Sequence, residues 1–272
     1  MKKQYVFLLL TAFSLCFATG TIAQEIFSNR PIDRQLAAAK AKGSFTGTYT
    51  PFKIEYQAAR RIAEQVVSDA TYLQMQPEQT QRIFREHPEA LTLNIPVQSA
   101  QPLELELVQQ SPLAGDFFVS TSGSNDKPVS YTPGVYYRGV IKGVPGSTVA
   151  ISIFENEIIG IATMPDNGSL VLGKLQIEGN ETNYILYSDK NLHAQQPPTC
   201  GTVEPLGYAE KIREYSEAAA KPTADKCVRV YLECDYALYQ NKGSVAGATN
   251  FITAVFNNLA TLYANEQITT VI

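Results

Sequence analysis

The runs Val149-Ala150-Ile151-Ser152-Ile153-Phe154 and Ile158-Ile159-Gly160-Ile161-Ala162 flank Glu155-Asn156-Glu157. Two β-branched, apolar runs around so short a polar link read as paired strands of a hairpin. Asp166-Asn167-Gly168 predicts a second hairpin, because Asn-Gly accepts the positive φ angles that tight turns demand. Leu170-Val171-Leu172 and Tyr184-Ile185-Leu186-Tyr187 supply further strands. On the other side, Leu103-Glu104-Leu105-Glu106-Leu107 alternates cleanly, with leucines toward a core and carboxylates toward water. A paired-carboxylate active site needs convergence from different elements, so Glu104 and Glu106 read as a solvated face. From Leu91 to Asp189 the pattern is period two, in short runs separated by turn residues, which predicts an antiparallel β domain.

Toward the N-terminus the period lengthens. Ile54, Ala58, Ile62 and Val66 recur at helical spacing between Phe52 and Ser68, beside Arg60, Arg61 and Glu64, and predict an amphipathic helix. A short second helix is expected from Pro77, with Glu78 behind it, Ile83 and Phe84 on the buried side and Pro88 as the stop. His87 then reads as a helix-end residue. Residues 24–51 are polar and rich in Ala and Lys without a clear period, and are expected to be a mobile lead-in. Before them, Lys2-Lys3, the apolar run from Tyr5 to Phe17 and Thr21-Ile22-Ala23-Gln24 have the form of a secretory signal peptide, residues 1–23, cut after Ala23. The run is shorter than the roughly 20 residues a membrane span requires, so no stable span is expected, an uncleaved anchor being the alternative. Phe13-Ser14-Leu15 lacks the small residue that lipidation at Cys16 would need, so Cys16 belongs to the discarded signal.

Composition narrows the class. Lys plus Arg total 22 against 26 Asp plus Glu, a net charge of -4, and no basic stretch interleaves with aromatics, so nucleic acid is not an expected partner. Fifteen Tyr and 12 Phe without Trp, among 17 Gly and 15 Pro, suit a β-rich secreted protein of one large domain or one and a half. The mature chain keeps Cys200, Cys227 and Cys234, an odd number, so at least one thiol has no partner within the chain. Cys227 to Cys234 reads as one strand, which puts the two thiols on opposite faces and about 23 Å apart, and both are expected to be buried structural cysteines, the alternative being pairing with residues absent from this sequence.

Tyr136-Tyr137-Arg138-Gly139, Gly143-Val144-Pro145-Gly146-Ser147, Val149-Ala150-Ile151-Ser152 and Gly160, in this order and spacing, resemble the pro-domain of the reprolysin and ADAM zinc metalloproteases. In many animal members two cysteines tie this hairpin together; they align with Val135 and Phe154 here, which implies that burial replaces the staple. The resemblance also implies an inhibitory cysteine shortly before the catalytic domain, where Pro197-Pro198-Thr199-Cys200-Gly201-Thr202 stands. A metal deprotonates a coordinating thiol, so the Cys200 thiolate is expected to fill the zinc position that catalysis needs for water. Pro197 and Pro198 limit the entropy lost when such a loop docks, and Gly201 permits close backbone approach. His193 with Cys200 suggests a cysteine protease, but no third orienting group or signature supports that pair, which ranks last.

Beyond a polar stretch with Pro205, Pro222 and Ala218-Ala219-Ala220, Cys227 to Tyr236 and then Asn250 to Leu259 resemble the opening strand and first helix of a reprolysin catalytic domain, with Asp235 at its usual aspartate. Ile252, Val255, Phe256, Leu259, Leu262 and Tyr263 form an apolar stripe on that helix, and Ile268 to Ile272 begins the next strand. An early acidic calcium ligand of some members aligns with Arg229, so no calcium site is carried over. His87 and His193 are far apart and no H-E-x-x-H occurs, so these 272 residues name no catalytic residue and no zinc ligand beyond Cys200.

The expected class is α+β: signal 1–23, lead-in 24–51, helices and then an antiparallel β pro-domain over 52–190, switch loop and linker 191–225, and the opening strand-helix-strand of a truncated α/β catalytic domain over 226–272. The function implied is the front of a secreted latent zinc endopeptidase. Its partners would be its own catalytic domain, protein substrates and a processing protease, for which Lys211, Arg213, Lys221 and Lys226 are exposed basic candidates. The other reading is a non-enzymatic secreted β-rich module that binds a partner or inhibits a protease.

Overall fold

The computed structural model describes residues 30–55, 64–98, 100–193 and 227–272. The signal peptide, residues 56–63 of the helix expected over 52–68, and Cys200 with its loop and linker lie outside these residues. The described fold is mixed α+β, a curled ten-stranded sheet accompanied by four helices. Its strands are β1 (Phe45–Tyr49), β2 (Phe52–Ile54), β3 (Ala70–Met75), β4 (Ala90–Ile95), β5 (Leu103–Gln109), β6 (Val135–Ile141), β7 (Thr148–Phe154), β8 (Glu157–Met164), β9 (Gly168–Lys174) and β10 (Asn183–Ser188). The order across the sheet is β1-β4-β5-β6-β7-β8-β9-β10-β3-β2. β4 to β10 run as an antiparallel meander, and within this sheet the β1–β4 pair is the parallel one.

That order forces the curl. β1 and β2 are the two outer strands, yet only Thr50 and Pro51 separate them in sequence. Two residues span at most about 10 Å between flanking Cα atoms, so the sheet bends until its edges meet. The interior is filled by one face of each strand, including Leu91, Leu93, Leu105, Leu107, Tyr137 and Ile151. Period-two alternation sends the other face outward.

Helix α1 (Pro31–Lys42) occupies the stretch read as a mobile lead-in, and β1 follows it directly. Pro31 stands in the first turn, Gly43 closes the end, and Ile32, Leu36 and Ala39 share the buried side. Arg30 fixes the start by donating to Gly146 O (2.8 Å), Ser147 O (3.0 Å) and Thr148 Oγ1 (3.2 Å), and it pairs with Asp33 at 2.7 Å. Phe52–Ile54 is strand, not the start of a helix, because Phe52 pairs with Met75 and enters the core. Val66, the far end of the expected helix, is exposed.

Helix α2 (Pro77–Glu86) forms as its sequence predicts, with Ile83 fully buried and Phe84 packed against the core. His87 caps it at φ 45°, its N–H donating to Ile83 O at 3.0 Å. The β7–β8 hairpin pairs Phe154 with Glu157, so its loop is Glu155-Asn156 alone. β8 and β9 join at Asp166-Asn167-Gly168. Glu104 and Glu106 face outward, but each meets a lysine: Lys142 on Glu104, and Lys40 of α1 on Glu106 at 2.6 Å.

After residue 226 the pairing changes sense. β11 (Cys227–Arg229) and β12 (Thr269–Val271) pair in parallel, connected through α3 (Tyr236–Lys242) and α4 (Val245–Asn265). Asp235 caps α3 by accepting from Leu238 N at 2.8 Å, and Ser244 caps α4 by accepting from Gly247 N at 2.9 Å. The strand expected through Cys234 stops at Arg229, and Cys227 and Cys234 are both free and exposed rather than buried. Outside the three-residue pairing with β12, no ladder among the described residues covers 230–235.

Candidate functional site

The residues singled out by motif lie on β6, the β6–β7 turn, β7 and β8: Tyr137, Val149 and Ile151 face the interior, while Tyr136 and Ser152 face outward. Gly139 lies so close to β5 that a Cβ there would sit 1.9 Å from Glu106 O. Gly146 turns the chain between β6 and β7 at φ 78°. Ser147, fully buried, accepts from Ile141 N (2.9 Å) and donates to Val144 O (2.7 Å), which closes the turn internally. Val135 and Phe154, the pair aligned with cysteines elsewhere, are both buried but on opposite faces. Val135 belongs to the interior, while Phe154 packs edge-on against Tyr136 outside. Across the strands Val135 faces Ile153, so burial holds each residue separately and the two do not substitute for a bridge between them.

Helix α4 covers that outer face. Its buried side is Ala248, Thr249, Thr253, Ala254, Phe256, Asn257, Ala260 and Thr261, mostly small residues that let the helix approach the sheet closely. Fully buried Asn257 donates through Nδ2 toward Ser152 Oγ (3.2 Å), Ile151 O (3.3 Å) and Tyr137 O (3.4 Å). Tyr131 donates to Asn250 Oδ1 at 3.0 Å, and Asn265 donates to Thr148 Oγ1 at 3.3 Å. Beyond the helix, Ile272 N donates to Pro112 O (3.0 Å), Ala114 N donates to Ile272 O (2.9 Å), and Arg229 pairs with Asp116 at 2.7 Å. Residues 227–272 are thus seated on the sheet by polar contacts along three elements.

The expected apolar stripe splits. Phe256 is buried at 3%, whereas Val255 (41%), Leu259 (41%), Leu262 (56%) and Tyr263 (43%) are exposed. Periodicity finds an apolar side, but close approach to the sheet selects the small side.

A cavity of about 320 Å³ opens where α1, the β5–β6 strands and the segment from Ala264 to Val271 meet. Arg34, Gln35, Gln110, Ser111, Arg138 and Thr270 supply its polar lining, and among the described residues no carboxylate lines it. Arg138 stands on β6 with 7% exposure, and burial lowers its guanidinium to about 10. In the sequence Arg138 stands inside a motif without a role of its own. The signal for one is its place beside Tyr137 and Gly139, where alternation sends a long cation outward beneath neighbouring elements.

Among the described residues no group of three or more His, Cys, Asp and Glu side chains can hold a metal ion, so they do not form a zinc site. Cys200 lies outside the described residues. His193 Nδ1 lies 2.9 Å from Gln65 O. Arg229, at the position aligned with a calcium ligand, is occupied by Asp116. No helix among the described residues is long and apolar enough to cross a membrane. Neither a scan against protein-family models nor a search of curated proteins returns a match for this chain.

Proposed function

We propose that the chain is the front of a secreted, latent zinc endopeptidase of the reprolysin and ADAM type: an antiparallel pro-domain followed by the first strand, helix and strand of the catalytic domain. The supporting observation is the two-sided helix α4. Its small, polar side is held by the motif-bearing strands β6 and β7, while Val255, Leu259, Leu262 and Tyr263 stay uncovered. A pro-domain that assists folding holds the first catalytic helix by one side and leaves the other for the remaining catalytic core. The change from antiparallel to parallel pairing after residue 226 falls where the sequence resemblance puts the start of that domain.

In this reading the Cys200 thiolate ligates a zinc ion held by a histidine cluster C-terminal to Ile272, and a cut between Cys200 and Cys227 releases it. Calcium is not part of the proposal. The test is Cys200→Ser in the precursor that carries both regions, because a neutral hydroxyl is a far poorer zinc ligand than a thiolate. The variant is expected to cleave peptide substrates without processing. Latency unchanged from the parent would remove the cysteine mechanism, and a precursor without any histidine cluster would leave the non-enzymatic β-rich binding or inhibitor module as the reading.

A further inference from the structure

The cavity bounded by α1, β6 and β12 holds two buried polar groups without partners. Arg138 Nε has no acceptor among the described residues, and Thr270 Oγ1, in a residue at 6% exposure, is likewise unpaired. Both side chains line the same space. A buried guanidinium without a counter-charge is costly, since desolvation is not offset by attraction or by hydrogen bonds. Among the described residues, the titratable groups in the lining are two cations, Arg138 and Arg34, the second exposed on α1. Around them stand Gln35, Gln110, Ser111 and Gln267, which donate hydrogen bonds without adding charge.

We propose that this cavity binds a small oxyanion, a carboxylate or phosphate group, with the Arg138 guanidinium as its main partner, Thr270 as a hydroxyl donor and Arg34 at the rim. A planar guanidinium matches two oxygens of either group, and such charge-assisted pairs are the stronger class of hydrogen bond. The space, about 320 Å³, lies at the small end of ligand cavities and suits a compact molecule. Its walls come from both the sheet domain and residues 264–271, so an occupant would tie the two together. This inference does not depend on zinc or on Cys200.

The test titrates the whole chain with sodium phosphate and, separately, sodium acetate, at constant ionic strength against chloride, reading melting temperature and binding heat. A saturable response above chloride is expected from at least one anion. Thr270→Val and Arg34→Gln should each weaken it by roughly three- to tenfold, the effect of losing one hydrogen bond or a rim charge. Arg138→Gln should abolish it; because that residue is buried, the exposed Arg34→Gln variant keeps the test readable if Arg138→Gln fails to fold. Tighter binding of phosphate marks a phosphoryl ligand, and tighter binding of acetate marks a carboxylate. No saturable response with either anion, or a response equal in parent, Thr270→Val and Arg34→Gln, overturns the proposal.

Discussion

Gly139 and Asn257 show how single residues set the joint between the sheet and its covering helix. Gly139 has no room for a methyl group, since the added Cβ would meet backbone rather than a movable side chain. Gly139→Ala is therefore predicted to cost at least about 2 kcal/mol by forcing β5 and β6 apart. Urea unfolding checks this, and a loss under about 0.5 kcal/mol would contradict the close approach. Asn257 joins α4 to three acceptors on β6 and β7. Asn257→Ala removes the two N–H donors that these acceptors share and is predicted to destabilise the chain by about 1–3 kcal/mol. The loss should appear first as faster amide exchange along α4; uniform acceleration across the sheet strands instead would show that the contact does not localise there.

The helices show what periodicity reveals and what it hides. The meander from β4 to β10 is legible because apolar, β-branched runs are broken by turn residues and because β4 and β5 alternate apolar with polar positions, and α2 because Pro77, Ile83 and Pro88 mark start, buried side and stop. α1 is harder to see, although Pro31, Gly43 and the spacing of Ile32, Leu36 and Ala39 announce it; its many Ala and Lys residues weaken the contrast between sides. Phe52–Ile54 misleads because three residues fit a helical spacing as readily as a strand, and only pairing with β3 decides between them. For α4 the apolar stripe marks the helix but not its orientation, since small Ala, Thr and Asn residues carry little hydrophobic signal while permitting the closest packing. Of the candidate site, Cys200 rests on sequence resemblance, whereas the Arg138 cavity needs the three-dimensional meeting of α1, β6 and β12. The uncovered side of α4 carries its own prediction. Exposed patches of this kind drive association, so the 272-residue chain should self-associate with rising concentration, and Leu259→Lys with Leu262→Lys should suppress this. Sedimentation showing a monomer at all concentrations for the parent chain would contradict it.

For the molecule as a whole, the curl of the sheet buries Tyr137 and Tyr184, and α4 covers Tyr131 and Tyr136 on the outer face. Burial is the leading cause that raises Tyr131, Tyr136, Tyr137 and Tyr184 above the usual tyrosine value. In the unfolded chain these groups ionise near pH 10. Folded-state values lie higher, so the folded chain holds more protons above that pH, and stability is full below about pH 10 and falls as pH rises beyond it. The urea midpoint should hold up to about pH 10 and drop as pH rises beyond it; an unchanged midpoint would show that the phenols are not buried as described.

The same curled sheet, with the parallel unit seated on its outer face, leaves the stretch carrying Cys200 between two anchored parts, Leu192 and Cys227. Zinc-edge X-ray absorption of the proposed precursor, carrying the segment proposed to follow Ile272, reads the metal's neighbours directly. One sulfur at about 2.3 Å beside nitrogen ligands at about 2.0–2.1 Å is predicted, with the sulfur lost in Cys200→Ser. Absence of bound zinc, or a shell of nitrogen and oxygen alone in the parent precursor, would contradict the account.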